Sequence, residues 1–138
     1  MTAERTRTAL GLLGLGARAR RLAIGVDAAR EALRRGKAEA LVLPSDASER
    51  ARERLVPLAG HKSVVVLIGP DADSLGQALG RPPVHGVAVL DRQLTRGLRA
   101  YLVVANTAGQ DPAGGASEVS FTLQRAPVAV NQGEKAGR

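Results

Sequence analysis

The chain of 138 residues has no cysteine and no tryptophan, and its only aromatic side chains are Tyr101 and Phe121. The first absence excludes disulfides, thiolate metal sites and cysteine nucleophiles together. The second leaves a core that must be built from aliphatic residues. It also denies the protein a row of rings on which unpaired bases stack. No apolar run approaches the ~20 residues of a membrane span. The first residues, MTAERTRTALGLLGLGARARR, offer too little uninterrupted apolar length for a secretory signal. A cytoplasmic protein with no membrane contact is the expectation. Histidine is scarce too, and His61 and His85 stand beside strand-like runs without acidic or hydroxyl partners at useful spacing. With no carboxylate pair, metal-ligand spacing or nucleophile motif, the sequence predicts no enzyme, no metal and no cofactor.

What is abundant is positive charge, 20 Lys and Arg against 13 Asp and Glu. Residues 1–62 hold 13 of the cations with 7 acids, and the rest of the chain holds 7 with 6. Cations that neutralise phosphates release condensed counterions, so this asymmetry points to a polyanionic partner. Arginine outnumbers lysine 17 to 3, a bias that a GC-rich coding sequence also produces. Charge alone therefore leaves the partner open.

Leu10, Leu13 and Ala17 recur at helical spacing and predict a helix over 6–20. Gly11, Gly14 and Gly16 within it suggest close packing, since no strand precedes them as a phosphate-binding loop would require. Arg21 to Ile24 makes a short strand, and Gly25 opens a second helix with Val26, Ala29, Ala32 and Leu33 inward and Gly36 at its close. Ala40 to Leu43 is a buried strand. Asp46 with Glu49 forms a capping-box pattern for a third helix, whose Ala51, Leu55 and Leu58 face in while Arg50, Arg52, Glu53 and Arg54 face out. Ser63 to Ile68 is a strand ended by Gly69-Pro70-Asp71, and a fourth helix follows to Gly80. Val84 to Leu90 is a further strand. Asp91 then caps a last helix carrying Leu94, Leu98, Tyr101, Leu102 and Ala105. Alternating strands and helices predict an α/β layered domain over 1–105. A flexible tail over 106–138 follows, in which EVSFTL alternates as an edge strand or docking segment does.

Several stretches in register carry a family likeness. They are Leu12-Leu13-Gly14-Leu15 with the basic run to Gly25, Arg35-Gly36-Lys37-Ala38 leading into Leu41-Val42-Leu43, Ser45-Asp46-Ala47-Ser48, Leu79-Gly80-Arg81-Pro82, and Val87-Ala88-Val89-Leu90-Asp91. Over about Leu10 to Leu102 the chain resembles the ribosomal protein L-seven-Ae and L-thirty-e family of kink-turn RNA binders, nearest its small bacterial YlxQ-like members. The resemblance implies a three-layer α/β/α sandwich around a four-stranded mixed sheet. It also implies a ribosome-associated partner, ribosomal RNA or another structured RNA, with a protein partner also open.

The family's contact segment reads roughly G-x-N-E-x-x-K at the start of the second helix. Its helix N-terminus offers N–H groups and a favourable dipole to phosphate. Carried over residue by residue, Gly25 and Val26 match, Asp27 stands at the Asn, Ala28 at the Glu and Glu31 at the Lys. Glu39 stands at a further basic position. The resemblance also places an apolar contact loop before the last helix, here Val89, Leu90 and Arg92. The residues admit two readings. In one, Arg30, Arg34, Arg35 and Lys37 replace the lost contacts and RNA is bound with altered or relaxed specificity. In the other, Asp27 pairs with Arg30 and Glu31 with Arg35, and the fold serves as a protein-interaction module with a degenerate RNA surface.

Overall fold

The computed structural model of the protein describes residues 2–106. Five helices and five strands alternate along them: α1 (Ala3–Arg18), β1 (Leu22–Ile24), α2 (Val26–Arg34), β2 (Ala40–Pro44), α3 (Glu49–His61), β3 (Val65–Gly69), α4 (Ala72–Leu79), β4 (Val87–Val89), α5 (Arg92–Arg99) and β5 (Val103–Asn106). The strands form one mixed sheet in the order β1-β4-β2-β3-β5. Strands β2 and β3 run parallel, with Leu41 opposite Val66, while β4 runs antiparallel to both β1 and β2.

The central strands are buried on both faces, and their side chains alternate between two cores. Ala40, Val42, Val65, Leu67, Val87 and Val89 face one layer, where Ala9, Leu13, Leu75 and Leu98 of α1, α4 and α5 cover them. Leu41, Leu43, Val66 and Ala88 face the other, under Ala29 and Leu33 of α2 and Leu55 and Ala59 of α3. This is a three-layer α/β/α sandwich.

Several expectations need correction. The sheet has five strands rather than four, because the last helix stops at Arg99 instead of running on to Ala105. The backbone N–H groups of Tyr101 and Leu102 donate to the Leu98 carbonyl, closing the helix. Leu102 is buried in the first core, and Val103 and Val104 pair with Ile68 and Leu67 of β3. Helical spacing of apolar residues persists through this stretch, but β-branched residues beside an open sheet edge favour a strand.

The third helix is capped by Ser48, whose hydroxyl accepts from the Ala51 N–H at 3.1 Å. Asp46 instead reaches across to α4, its Oδ1 accepting from the Ala72 N–H at 2.8 Å. Helix α1 begins earlier than expected, with Thr2 as its cap, and ends at Arg18. Of its glycines, Gly16 lies against Leu94 and Leu22, and a Cβ at Gly14 would sit 3.5 Å from the Ala78 carbonyl. Close packing thus explains Gly16 alone, since a Cβ at Gly14 would make only ordinary contact and Gly11 faces open space. The alternating EVSFTL segment lies outside the described residues.

Candidate nucleic-acid interface

The parallel strands β2 and β3 end at Pro44 and Gly69, and the N-termini of α2, α3 and α4 gather at that end of the sheet. Crevices outside the carboxyl ends of parallel strands are where open α/β sheets bind ligands. A cleft of about 340 Å³ opens here. One wall is Ile24 to Asp27 at the start of α2, the opposite wall is the loop Arg81 to His85, and Arg50 of α3 closes one side.

Gly25 sets the geometry of the first wall. Its φ of 101° and ψ of 158° lie in a region open essentially to glycine alone. Its N–H donates to the Gly86 carbonyl at 2.8 Å, which ties the start of α2 to the approach of β4. Having no side chain, it leaves α2 without a side-chain cap. The first N–H groups of that helix, at Val26, Asp27 and Ala28, therefore have no capping partner among the described residues.

The second wall is held from below. Gly76 of α4 packs against the backbone of Arg81 and Pro82, where any Cβ would collide with their carbonyl oxygens. His85 Nδ1 accepts from the Ser48 N–H at 3.1 Å, so its Nε2 is the ring nitrogen left to meet a ligand. Arg50 and Arg81 make no side-chain hydrogen bond or ion pair among the described residues. Pro82, Pro83 and Val84 add apolar surface between these charges.

The acidic residues of α2 are paired differently from expectation. Asp27 meets Arg54 of α3 at 3.5 Å, not Arg30, whose side chain has no ion pair among the described residues. Glu31 pairs with Arg35 as expected, Nε to Oε2 at 2.8 Å, and also with Arg34 at 3.0 Å. The Arg34 guanidinium, hydrogen-bonded to Glu31, holds its carboxyl below the usual carboxylate range, and Arg35 adds to the effect. The charge reversal at Glu31 is thus surrounded by two cations. The same pairing ties up two of the arginines expected to replace the lost contacts.

Not all the sequence-derived site residues come together. Gly25, Val26 and Asp27 line the cleft, and Arg30, Glu31 and Arg34 follow along the exposed face of α2. Val89, Leu90 and Arg92 do not join them. Because β1 and β4 are antiparallel, with Leu22 opposite Val89 and Ile24 opposite Val87, they lie at the far end of the sheet. Val89 is fully buried, and the Leu90 N–H donates to the Arg21 carbonyl at 2.8 Å. Lys37 lies at that far end as well, in the loop from α2 to β2. The loop that faces Gly25 precedes β4 rather than follows it. In the sequence Leu79-Gly80-Arg81-Pro82 is a framework match, and Arg81, Pro82, Pro83, His85 and Arg50 are not among the contact residues expected from it. The available signal was a short charged and proline-rich loop closing on a buried strand.

A three-layer sandwich with this cleft is a ribosomal-protein-like fold of the RNA-binding class. The profile of the ribosomal protein L7Ae/L30e/S12e/Gadd45 family matches residues 8–98, and the chain belongs to that family. Among solved structures, a protein of unknown function from Bacillus halodurans is similar at 31% identity and a TM-score of 0.63, over 67% of this chain and 94% of that one. The Giardia lamblia 15.5kD RNA binding protein shares the fold at 22% identity and a TM-score of 0.60, over 72% and 85% of the two chains. No curated protein matches the chain. Among the described residues, no helix is long and apolar enough to cross a membrane.

Proposed function

We propose that this protein binds structured RNA, kink-turn-like or ribosomal, in the cleft between the start of α2 and the loop Arg81–His85. One observation carries the reading. N–H groups of α2 and guanidinium groups of Arg50 and Arg81, unpaired among the described residues, converge on one concave surface with apolar walls. N–H groups and guanidinium forks suit phosphate, and Pro82, Pro83 and Val84 suit the face of a base or ribose. Family membership and the likeness to the Giardia RNA binding protein support the same class of ligand.

The specificity is altered or relaxed in this reading. Asp27 accepts hydrogen bonds but lacks amide donors, and Ala28 presents no polar group, so the base-reading pair implied by the family is gone. Binding then rests on backbone contacts and shape. The test compares a kink-turn RNA, a plain duplex and a single strand across a salt series. Micromolar or tighter binding with a clear salt slope is expected, and Arg50→Ala with Arg81→Ala should lower that slope by about two. Equal, salt-independent binding by wild type and variant rejects the cleft. The alternative reading, a protein-interaction module, draws on Asp27 at the cleft and Glu31 further along the exposed face of α2. Partners retained after nuclease treatment would favour it.

A further inference from the structure

The net positive charge of the described residues is greater at the end away from the cleft. At the end of the fold that holds the cleft, where α1 begins and α5 ends, nine arginines stand against seven acidic groups. At the opposite end, eight Lys and Arg stand against three, Glu31 included. Four connections meet there. The Leu90 N–H donates to the Arg21 carbonyl at 2.8 Å and the Glu39 N–H to the Val89 carbonyl at 2.7 Å. These bonds bring the α1–β1, α2–β2 and β4–α5 loops side by side, and β3 begins beside Ala40, which adds the α3–β3 loop. Arg21 and Arg92 are neutralised across these loops, by Asp91 at 3.3 Å and Glu39 at 3.9 Å. The side chains of Arg18, Arg20, Lys37 and Lys62 are exposed and have no hydrogen bond or ion pair among the described residues.

Helix dipoles explain part of this pattern, because the C-termini of α1, α2 and α3 favour cations such as Arg18 and Lys62. They do not explain Arg92, which occupies the first position of α5, where the dipole opposes a cation. Nor do they explain Arg20. Its φ of 60° is left-handed, a conformation that disfavours any residue with a Cβ, yet an arginine stands there with its side chain in solvent.

We propose that this end of the sandwich is a second RNA-backbone surface, so that the protein bridges two RNA segments, one at each end. The proposal rests on the cleft reading for the class of partner. The surface suits the phosphates of a duplex rather than unstacked bases, since Tyr101 lies at the other end of the fold.

The experiment uses the full chain and the quadruple variant Arg18→Gln, Arg20→Gly, Lys37→Gln, Lys62→Gln. Affinity for a labelled RNA duplex is measured across a salt series, and an immobilised duplex is tested for capture of a second one. The quadruple variant should lose capture, and its salt slope should fall by about four. Arg20→Gly alone relieves the left-handed backbone, so it should melt no lower than wild type while its salt slope falls by about one. An unchanged slope and unchanged capture in the folded quadruple variant overturn the proposal. So does wild-type binding to phosphatidylserine vesicles without binding to duplex RNA. Failure of the cleft reading looks different: Arg50→Ala with Arg81→Ala leaves RNA affinity intact while the quadruple variant still lowers it, which keeps this surface and rejects the cleft.

Discussion

Glu31 is the residue at which sequence and structure speak most directly to each other. The resemblance marks it as a charge reversal facing a polyanion, and the structure shows its carboxylate held by Arg34 and Arg35. Replacing it with lysine adds a cation and frees two more. Glu31→Lys should raise RNA affinity about tenfold at low salt, with the gain shrinking as salt rises. A titration showing no gain would place the contact elsewhere. Acid sensitivity is also decided at this scale. Hydrogen bonds from the Ser74 side chain and backbone to Asp71, and from Arg34 to Glu31, lower both carboxyl pKa values in the folded state. A depressed folded pKa contributes stability that is complete above the unfolded value and lost as pH falls through the folded one. Tm should therefore fall as pH drops below the ordinary values of 4.5 and 3.8. Asp71→Asn with Glu31→Gln should flatten that part of the profile, measured by thermal melts from pH 7 to 2.

Among the elements, α4 does more than cover the sheet. Its Gly76 lets the Arg81–Pro82 backbone pass close by, and a Cβ there would lie 2.7 Å from the Arg81 carbonyl oxygen. Backbone atoms cannot rotate aside as a side-chain end does, so the loop must move. Gly76→Ala should cost about 1–3 kcal/mol of stability. It should also weaken RNA binding more than a core substitution of equal destabilisation, because it displaces one wall of the cleft. Thermal melts paired with binding curves check both, and an unchanged Tm would show that the loop yields freely. Elements were well legible where local chemistry governs them. Gly25 opens α2 and Gly36 follows it, Asp91 caps α5, and the valines of β3 form its strand. Legibility failed where a distant partner decides. The hydroxyl of Ser48 and the carboxylate of Asp46 are both competent caps, and only the approach of α4 assigns Asp46 to Ala72.

For the molecule as a whole, sequence alone determined the class of fold. Its runs of buried aliphatic residues alternate with amphipathic helices, and two such layers on one sheet are the stable way to bury them. It also determined an aliphatic core, the excess of cations and the family likeness. The tertiary structure alone decided which charges share a surface. Antiparallel pairing of β1 with β4 sends Val89, Leu90 and Arg92 to the end away from Gly25 and brings Arg81 to His85 beside it. The physical reason is that strand direction is set by backbone pairing between segments more than sixty residues apart. No local propensity, spacing or charge pattern encodes that choice.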